Sequence, residues 1–454
     1  MIDAYAPLLR HVLYPAYETG LRRRGTLRHL REYEASQWLD PERIAALQWT
    51  KLQRLLAHCW AQVPYYREQW RGLGIGDARD IRTPADYARL PTIDKTTIRA
   101  NGERLVAGDH RDRLMYKSTG GSTGEPLRFG YTRESYERRV AVMHRGYGWA
   151  GARLGERTLY LWGMPHSPAL KDRLFHAAFN RRMRNGFTMD DAAMAANADL
   201  LATFRPRTVV GYVAPLVRLA EWLEAHGRTV PAPGRILTAA EALHPTQRAQ
   251  LERAFGCRAY DTYGCREFML VASECTHGGL HTTADHLCIE LGQSLEGAGE
   301  GPRELIVTDL HNYGMPLLRY LNGDLATPGE PGRCACGRGL PRLARVNGRK
   351  LDALRTPDGR FVSGEFFVYA FLASRGVARF QAVQRSADRI EVRVVRDADF
   401  DPQALDAVLA ELRRGIGPAT AVEPVFTDEI PLTPTGKHRV TVYDVPEAGS
   451  KVLQ

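Results

Sequence analysis

Apolar residues recur at helical spacing through "DPERIAALQWTKLQRLLAHCWAQV" (40–63), where Ile44, Leu47, Leu52, Leu55 and Leu56 fall on one face before "VPYY" ends the run. The first hundred or so residues (about 1–100) read as a helical N-terminal segment. Beyond a stretch of small residues near 120 the period changes. "RTLYLWGM" (157–164) and "RTVVGYV" (207–213) are short apolar runs of β type, and helical segments such as "PLVRLAEWLEAHG" (215–227) lie between them. This alternation predicts an α/β body with a largely parallel sheet over 101–348.

Around residue 345 the pattern changes again. "FQAVQRSADRIEVRVV" (380–395) sets Ile390, Val392 and Val394 on alternate positions, the mark of a half-buried strand. "DPQALDAVLAELRRGIG" (401–417) is an amphipathic helix with a glycine stop. Together they predict a small α+β domain over 349–454, with the boundary near the turn-rich, charged "NGRKLDALRTPDGR" (347–360).

Composition narrows the class. A chain of 454 residues exceeds one ordinary core, so two or three domains are expected. No run reaches the ~18–20 apolar residues of a membrane span. The N-terminus lacks the pattern of a secretion signal, and seven cysteines in this length do not suggest a disulfide framework. A reduced, cytoplasmic protein is expected. The net charge of +10 includes the cluster "RRRGTLRHLR" (22–31). Such a cluster is either a solvated helix or an arm for membrane or nucleic acid. No nucleic-acid module follows it, so the expectation is a solvated helix and no nucleic-acid partner. A basic surface also suits ATP and other anions.

Two groups of residues carry candidate chemistry. In "YKSTGGSTGEP" (116–126), Gly120, Gly121 and Gly124 would let backbone N–H groups approach an anion, and Ser118, Thr119, Ser122 and Thr123 add hydroxyl donors. The stretch has neither the common P-loop form nor G-x-G-x-x-G, so spacing alone leaves a phosphate loop and a plain surface linker level. Cys275, His277, His281, Cys334 and Cys336 offer enough soft ligands for a structural zinc, with Cys275, His281, Cys334 and Cys336 the favoured set over His277. The alternative is two local turns with free thiols. Cys59, Cys257, Cys265 and Cys288 stand apart as isolated cysteines.

"STGGSTGEP" resembles the signature loop of the adenylate-forming superfamily. "TYGCRE" (262–267), "RYLNGD" (319–324), "GRKLD" (348–352) and "PLTPTGKHR" (431–439) resemble its Y-G-x-T-E, R-Y-x-T-G-D, G-R-x-x-D and P-x-T-x-x-G-K-x-x-R motifs, in the same order. The segment 36–70, "ECTHGGLH" (274–281) and "CACGR" (334–338) are similar to the phenylacetate–CoA ligase-like, CapK-type group. The resemblance implies a large N-terminal body and a small, mobile C-terminal domain. It also implies ATP- and Mg²⁺-dependent activation of a carboxylic acid as acyl-AMP, releasing pyrophosphate. Transfer would follow, either to coenzyme A or to an amine of a sugar or amino acid. A non-catalytic nucleotide-binding partner protein is the rival of another class. No feature of the sequence fixes an oligomeric state.

The same resemblance implies roles. Residues 118–126 would cradle the β- and γ-phosphates, and Glu267 would help hold Mg²⁺. Tyr263 would lie beside adenine or substrate. Asp324 would accept from both ribose hydroxyls, with Arg349 supporting the ribose or phosphate side. Lys437 would bridge the attacking carboxylate and the α-phosphate. Trp162, Tyr212, Ala239 and Ala240 are the candidates for the acid pocket, where aromatic walls would suit an aryl acid. The chain departs from the family pattern at Glu125, where many relatives have lysine, and at Arg266, Asn322 and Leu351.

Overall fold

The computed structural model describes residues 4–119, 127–163, 170–186, 190–294, 301–349, 354–357, 361–362, 364–371, 376–431 and 438–445. The chain divides into two compact units. The first is Met1–Leu291, Leu305–Asn322 and Pro328–Arg345; the second is Gly292–Glu304, Gly323–Thr327 and Val346–Gln454.

The first unit opens with helices, among them Thr26–Ser36, Pro41–Gln62 and Pro64–Gly72. Ile44, Leu52, Leu55, Leu56 and Cys59 form the buried face of Pro41–Gln62, while Leu47 stays partly exposed. Full burial of one such aliphatic side chain stabilises by about 1.5–3 kcal/mol. Val63 breaks the helix with φ −111° and ψ 106°, but "VPYY" does not end helical structure. Pro64, whose fixed φ suits a first helical turn, opens the next helix.

β1 (Met115–Ser118) and β2 (Arg128–Tyr131) form an antiparallel hairpin. β3 (Thr158–Trp162), β4 (Arg181–Asn185), β5 (Thr208–Tyr212), β6 (Arg235–Ala239), β7 (Ala259–Tyr263), β8 (Ala272–Glu274), β9 (Leu280–Thr282), β10 (Leu287–Ser294), β11 (Arg303–Asp309), β12 (Tyr320–Pro328) and β13 (Arg342–Arg349) make one sheet, ordered β10-β11-β12-β13-β9-β8-β7-β6-β5-β3-β4. Pairing is parallel from β4 through β3, β5 and β6 to β7. It turns antiparallel at β7–β8, β8–β9 and β9–β13. The expectation of a largely parallel sheet therefore holds for the β3–β7 half only. The physical reason lies in the connections. Helices Asp191–Phe204, Val213–Ala225 and Pro245–Phe255 return the chain between parallel strands, whereas β7, β8 and β9 are joined by segments too short for a crossover.

Leu159, Leu161, Val209 and Ile236 on the parallel strands pack with Ala198, Leu201, Leu216, Leu219, Leu251 and Phe255 on those helices. Buried charge fastens the helical segment to the rest of the unit. Arg145 forks onto Asp285, with Nη2 to Oδ1 at 2.9 Å, and its Nη1 also donates to the Tyr33 carbonyl at 3.1 Å. Ser36 Oγ donates to the same carboxylate.

In the second unit β14 (Leu354–Arg355) pairs with β15 (Phe361–Val362). β16 (Val377–Ser386), β17 (Arg389–Arg396), β18 (Ala421–Phe426) and β19 (Thr441–Tyr443) form a sheet ordered β18-β17-β16-β19. The alternating stretch 380–395 is a hairpin rather than one strand, because Ala387 and Asp388 turn the chain between β16 and β17. Ile390, Val392 and Val394 face a core with Leu405, Leu409, Leu412 and Ile416 of helix Pro402–Ile416. Gly417, at φ 102°, ends that helix.

Candidate active site and a cysteine–histidine cluster

Parallel strands with crossover helices leave a crevice beyond their carboxyl ends, the usual ligand position in open α/β sheets. Trp162, Tyr212, Ala239 and Tyr263 are the last residues of β3, β5, β6 and β7, and Ala240 follows directly. The Trp162 and Tyr212 rings meet edge to face with centroids 4.6 Å apart. Ala240 has φ 68°, a left-handed conformation rare for alanine and costing on the order of 1–3 kcal/mol.

After Tyr263 the chain makes a tight turn. Val271 N–H returns to the Tyr263 carbonyl at 2.8 Å, and Met269 N–H donates to the Cys265 carbonyl at 2.7 Å. A Cβ on Gly264 would lie 1.8 Å from the Met269 carbonyl oxygen, so only glycine fits. The turn buries Glu267, whose Oε1 accepts from the Tyr320 hydroxyl at 2.9 Å. Tyr263 OH accepts from Asn322 Nδ2 at 2.7 Å. Asn322, a departure from the usual threonine, thus supports Tyr263.

Thr119 sits at the foot of the glycine-rich stretch. Its N–H donates to the Leu127 carbonyl at 2.9 Å, and its Oγ1 accepts from Leu127 N–H at 2.9 Å. Ser118 is the exposed last residue of β1, and Arg266 Nη1 donates to its carbonyl at 2.9 Å. Gly120, Gly121, Ser122, Thr123, Gly124 and Glu125 lie outside the described residues. So do Lys437 and Leu351. In the second unit Arg349 Nε approaches Asp324 Oδ1 at 3.6 Å, bringing together the two residues assigned to the ribose side.

Three features were missed by sequence reasoning. Arg319 was quoted only as the first letter of a motif. It holds φ 49°, donates to the Ala88 and Leu90 carbonyls, and reaches Glu290 Oε2 with Nε at 3.1 Å. It clamps the helical segment to β10. Arg266 was noted as a departure, but its bond to Ser118 was not. Asp261 on β7 carried no signal beyond its place in the motif strand.

Burial pushes the Asp261 carboxyl up to about 7; Glu274 beside it adds to the rise and Arg248 opposes it. Between the ordinary carboxylate range and pH 7 the folded chain then holds a proton that the unfolded chain has lost. Folding is favoured in acid, and that contribution disappears as pH rises through about 7. Asp261 keeps part of its surface exposed, so the effect is discounted. Asp261→Asn is expected to raise the unfolding midpoint by roughly 2–4 °C more at pH 8 than at pH 4. An equal shift at both pH values would show that the carboxyl does not titrate in this window.

Cys275, His281, Cys334 and Cys336 place their ligand atoms within 4.8 Å of one another. Cys275 and Cys334 come from two turns, each with a left-handed glycine, Gly278 and Gly337. His281 lies buried on β9, and its Nδ1 faces the Leu340 carbonyl at 3.1 Å. That bond places the proton on Nδ1 and aims the Nε2 lone pair at Cys336 Sγ, 3.2 Å away. Burial lowers the imidazole to about 4 and keeps it neutral. Burial raises the Cys275 thiol to about 11, while at Cys336 the N–H and guanidinium of Arg338 outweigh burial and hold the thiol below its ordinary value. Zinc–sulfur bonds of about 2.3 Å in a tetrahedron set sulfurs about 3.8 Å apart. Cys275 and Cys334 are 4.0 Å apart. A Cβ on Gly279 would press to 3.0 Å from Cys334 Sγ, so glycine is what leaves the cluster room. His277 is exposed and bonds to Thr276 instead. The donor set fits zinc.

Comparison with known proteins bears on both units. Residues 354–444 match the CapK C-terminal domain family. Protein CapK of Staphylococcus aureus is 25% identical over 370 residues, 80% of this chain and 81% of the relative. Phenylacetate-coenzyme A ligase of Thermus thermophilus is 27% identical over 331 residues, 70% of this chain and 72% of the relative. Among solved structures, 2-hydroxyisobutyryl-CoA ligase in the postadenylation state superposes with TM-score 0.69 at 18% identity, over 89% of each chain, a likeness of fold. Residues 354–444 thus carry a CapK C-terminal domain, and the chain as a whole is similar to protein CapK and to phenylacetate-coenzyme A ligases, with the fold of an acyl-CoA ligase.

Proposed function

We propose that the protein is an ATP- and Mg²⁺-dependent ligase that converts a carboxylic acid to acyl-AMP and transfers the acyl group to coenzyme A. The observation that carries this reading is the bond from Arg266 to the Ser118 carbonyl. It ties the foot of the hydroxyl- and glycine-rich loop to the turn that holds Glu267. An anion cradle formed by that loop and a Mg²⁺ held by Glu267 would then be neighbours. Arg266 also supplies a cation next to a loop that carries Glu125 where relatives have lysine. The acid would enter between Trp162 and Tyr212, whose crossed rings favour an aryl or other flat carboxylate. Asp324 and Arg349 would hold the ribose, and Lys437 would meet the charge that builds at the α-phosphate.

The test is carboxylate-dependent exchange of labelled pyrophosphate into ATP across aryl, hydroxyaryl and aliphatic acids. Exchange with one acid class is expected; ATP binding without exchange for any acid would favour the non-catalytic reading. The CapK-type C-terminal domain supports a second acceptor, an amine of a sugar or amino acid. Adding coenzyme A or an amine to preformed acyl-AMP separates the two.

The cluster of Cys275, His281, Cys334 and Cys336 would hold a structural zinc that joins the turn after β8 to the turn before β13. Protein purified without added metal should contain about one zinc per chain, and Cys334→Ser should lose it. Metal-free wild type with unchanged thermal stability would refute the site.

A further inference from the structure

The outer face of the N-terminal helical run carries a second apolar stripe that is exposed among the described residues. From Tyr5 to Leu21 the run buries Ala6, Leu9, Tyr14 and Glu18. It lies so close to the body that a Cβ on Gly155 would meet the Ala6 carbonyl at 2.7 Å. The opposite side shows Tyr5, Leu8, Val12 and Leu13, and Leu21 ends the run. Positions 5, 8 and 12 share one helical face. Beside it runs helix Leu170–Ala178, which buries none of its residues and exposes Leu170, Leu174 and Phe175. Tyr5 OH donates to the Ala178 carbonyl at 2.7 Å, and the Tyr17 and Phe179 rings meet at 5.2 Å, so the two helices are neighbours. Exposure reaches 75% at Leu21, 68% at Leu170, 62% at Leu174 and 53% at Val12. Eight of the fifteen exposed large hydrophobics among the described residues lie on these two helices. Scattered apolar residues need no explanation, but a concentration of this kind marks an interaction surface.

Basic residues border the stripe. Lys171 and Arg173 are exposed on the second helix. Where the first run ends, Arg22 and Arg23 are exposed and make no ion pair among the described residues. An open cleft of about 820 Å³ follows, lined by Thr19, Arg23, Arg24, Arg28, Arg31 and Arg133. Glu134 and Glu137 also line it, paired with Arg138 and Arg133; Arg24 and Arg28 pair with Glu18 and Glu32, while Arg23 and Arg31 make no ion pair among the described residues.

We propose that this face docks on an anionic lipid bilayer, with the two helices lying in the headgroup plane and the arginines meeting lipid phosphates. Apolar side chains on one face with arginine and lysine at the border are the composition of an interfacial helix. Charge decides among occupants. A second copy would bring the same arginines against themselves on a chain of net charge +10. A nucleic acid would satisfy the arginines but leave the leucines in water. Among the described residues no helix is long and apolar enough to cross a membrane, so the contact is with a surface.

Co-sedimentation of the full chain with vesicles tests this without reference to adenylation. Binding is expected to vesicles of 30% phosphatidylserine in phosphatidylcholine and to be at least tenfold weaker to phosphatidylcholine alone. It should weaken as salt rises from about 50 to 300 mM. Val12→Glu with Leu174→Glu, and separately Arg22→Glu with Arg23→Glu, should each cut binding at least fivefold while pyrophosphate exchange and the thermal midpoint stay unchanged. Equal binding to both vesicle types, or binding untouched by either pair, would overturn the proposal. So would a wild-type dimer in the absence of lipid that the Val12→Glu/Leu174→Glu pair converts to monomer. Protection of the face by an oligonucleotide but not by vesicles would overturn it as well.

Discussion

Lys437→Ala is expected to lower acid-dependent pyrophosphate exchange roughly 10²–10³-fold, with little change in the affinity for ATP. When the carboxylate attacks, negative charge accumulates between the incoming oxygen and the α-phosphate, and a fixed cation there acts on the transition state more than on the ground state. The chain just beyond Lys437 is well anchored within the second unit. Ala382 N–H donates to the Val440 carbonyl at 2.8 Å, and Gln381 Nε2 donates to the Arg439 carbonyl at 2.9 Å. Measuring exchange rate and ATP affinity together separates the outcomes. Loss of rate at constant affinity supports the assigned role. A rate within a few-fold of wild type would remove Lys437 from the chemistry, and loss of affinity alone would make it a binding residue.

Asp285→Ala is expected to cost about 3–5 kcal/mol of stability in the first unit. Asp285 and Arg145 are both buried, and the guanidinium holds the carboxyl below its usual range against the opposing pull of burial. The depressed carboxyl contributes stability above the ordinary carboxylate range that is lost as pH falls through its folded value. Removing it strands a cation between the Tyr33 and Trp149 rings, 5.1 and 5.0 Å from their centroids. The double variant Arg145→Leu/Asp285→Leu should be markedly less damaged than the sum of the two single leucine variants, because no charge is left unpaired. Additive losses, read by thermal or denaturant unfolding, would mean that the pair is not coupled.

These two residues differ in how visible they were beforehand. Lys437, Glu267, Asp324 and Arg349 were singled out only through motifs that resemble those of a known family; of these four, the structure brings Arg349 and Asp324 within 3.6 Å of one another and buries Glu267. The strands of Trp162 and Tyr212 were legible as the apolar runs 157–164 and 207–213, but not the points at which they stop, at Trp162 and Tyr212. Asp285 and Arg145 are 140 positions apart, and neither helical periodicity nor local composition marks a residue whose partner lies so far along the chain. Arg319 was hidden in a different way, since its motif drew attention to Asp324 while its side chain serves the helical segment. His277 and His281 could not be separated by spacing. What distinguishes them is burial on β9, a property of sheet order, and the antiparallel half of that sheet was itself unread.

The paired bonds between Thr119 and Leu127 have a thermodynamic consequence. Thr119 and Leu127, seven positions of sequence between them, are held together at the open end of the β1–β2 hairpin. Closing a free segment of that length costs on the order of 2 kcal/mol in chain entropy. Here folding meets that cost once, before any ligand arrives. An anion bound between these two anchors would not have to bring them together, and more of the gross attraction between phosphate and amide would remain as net affinity.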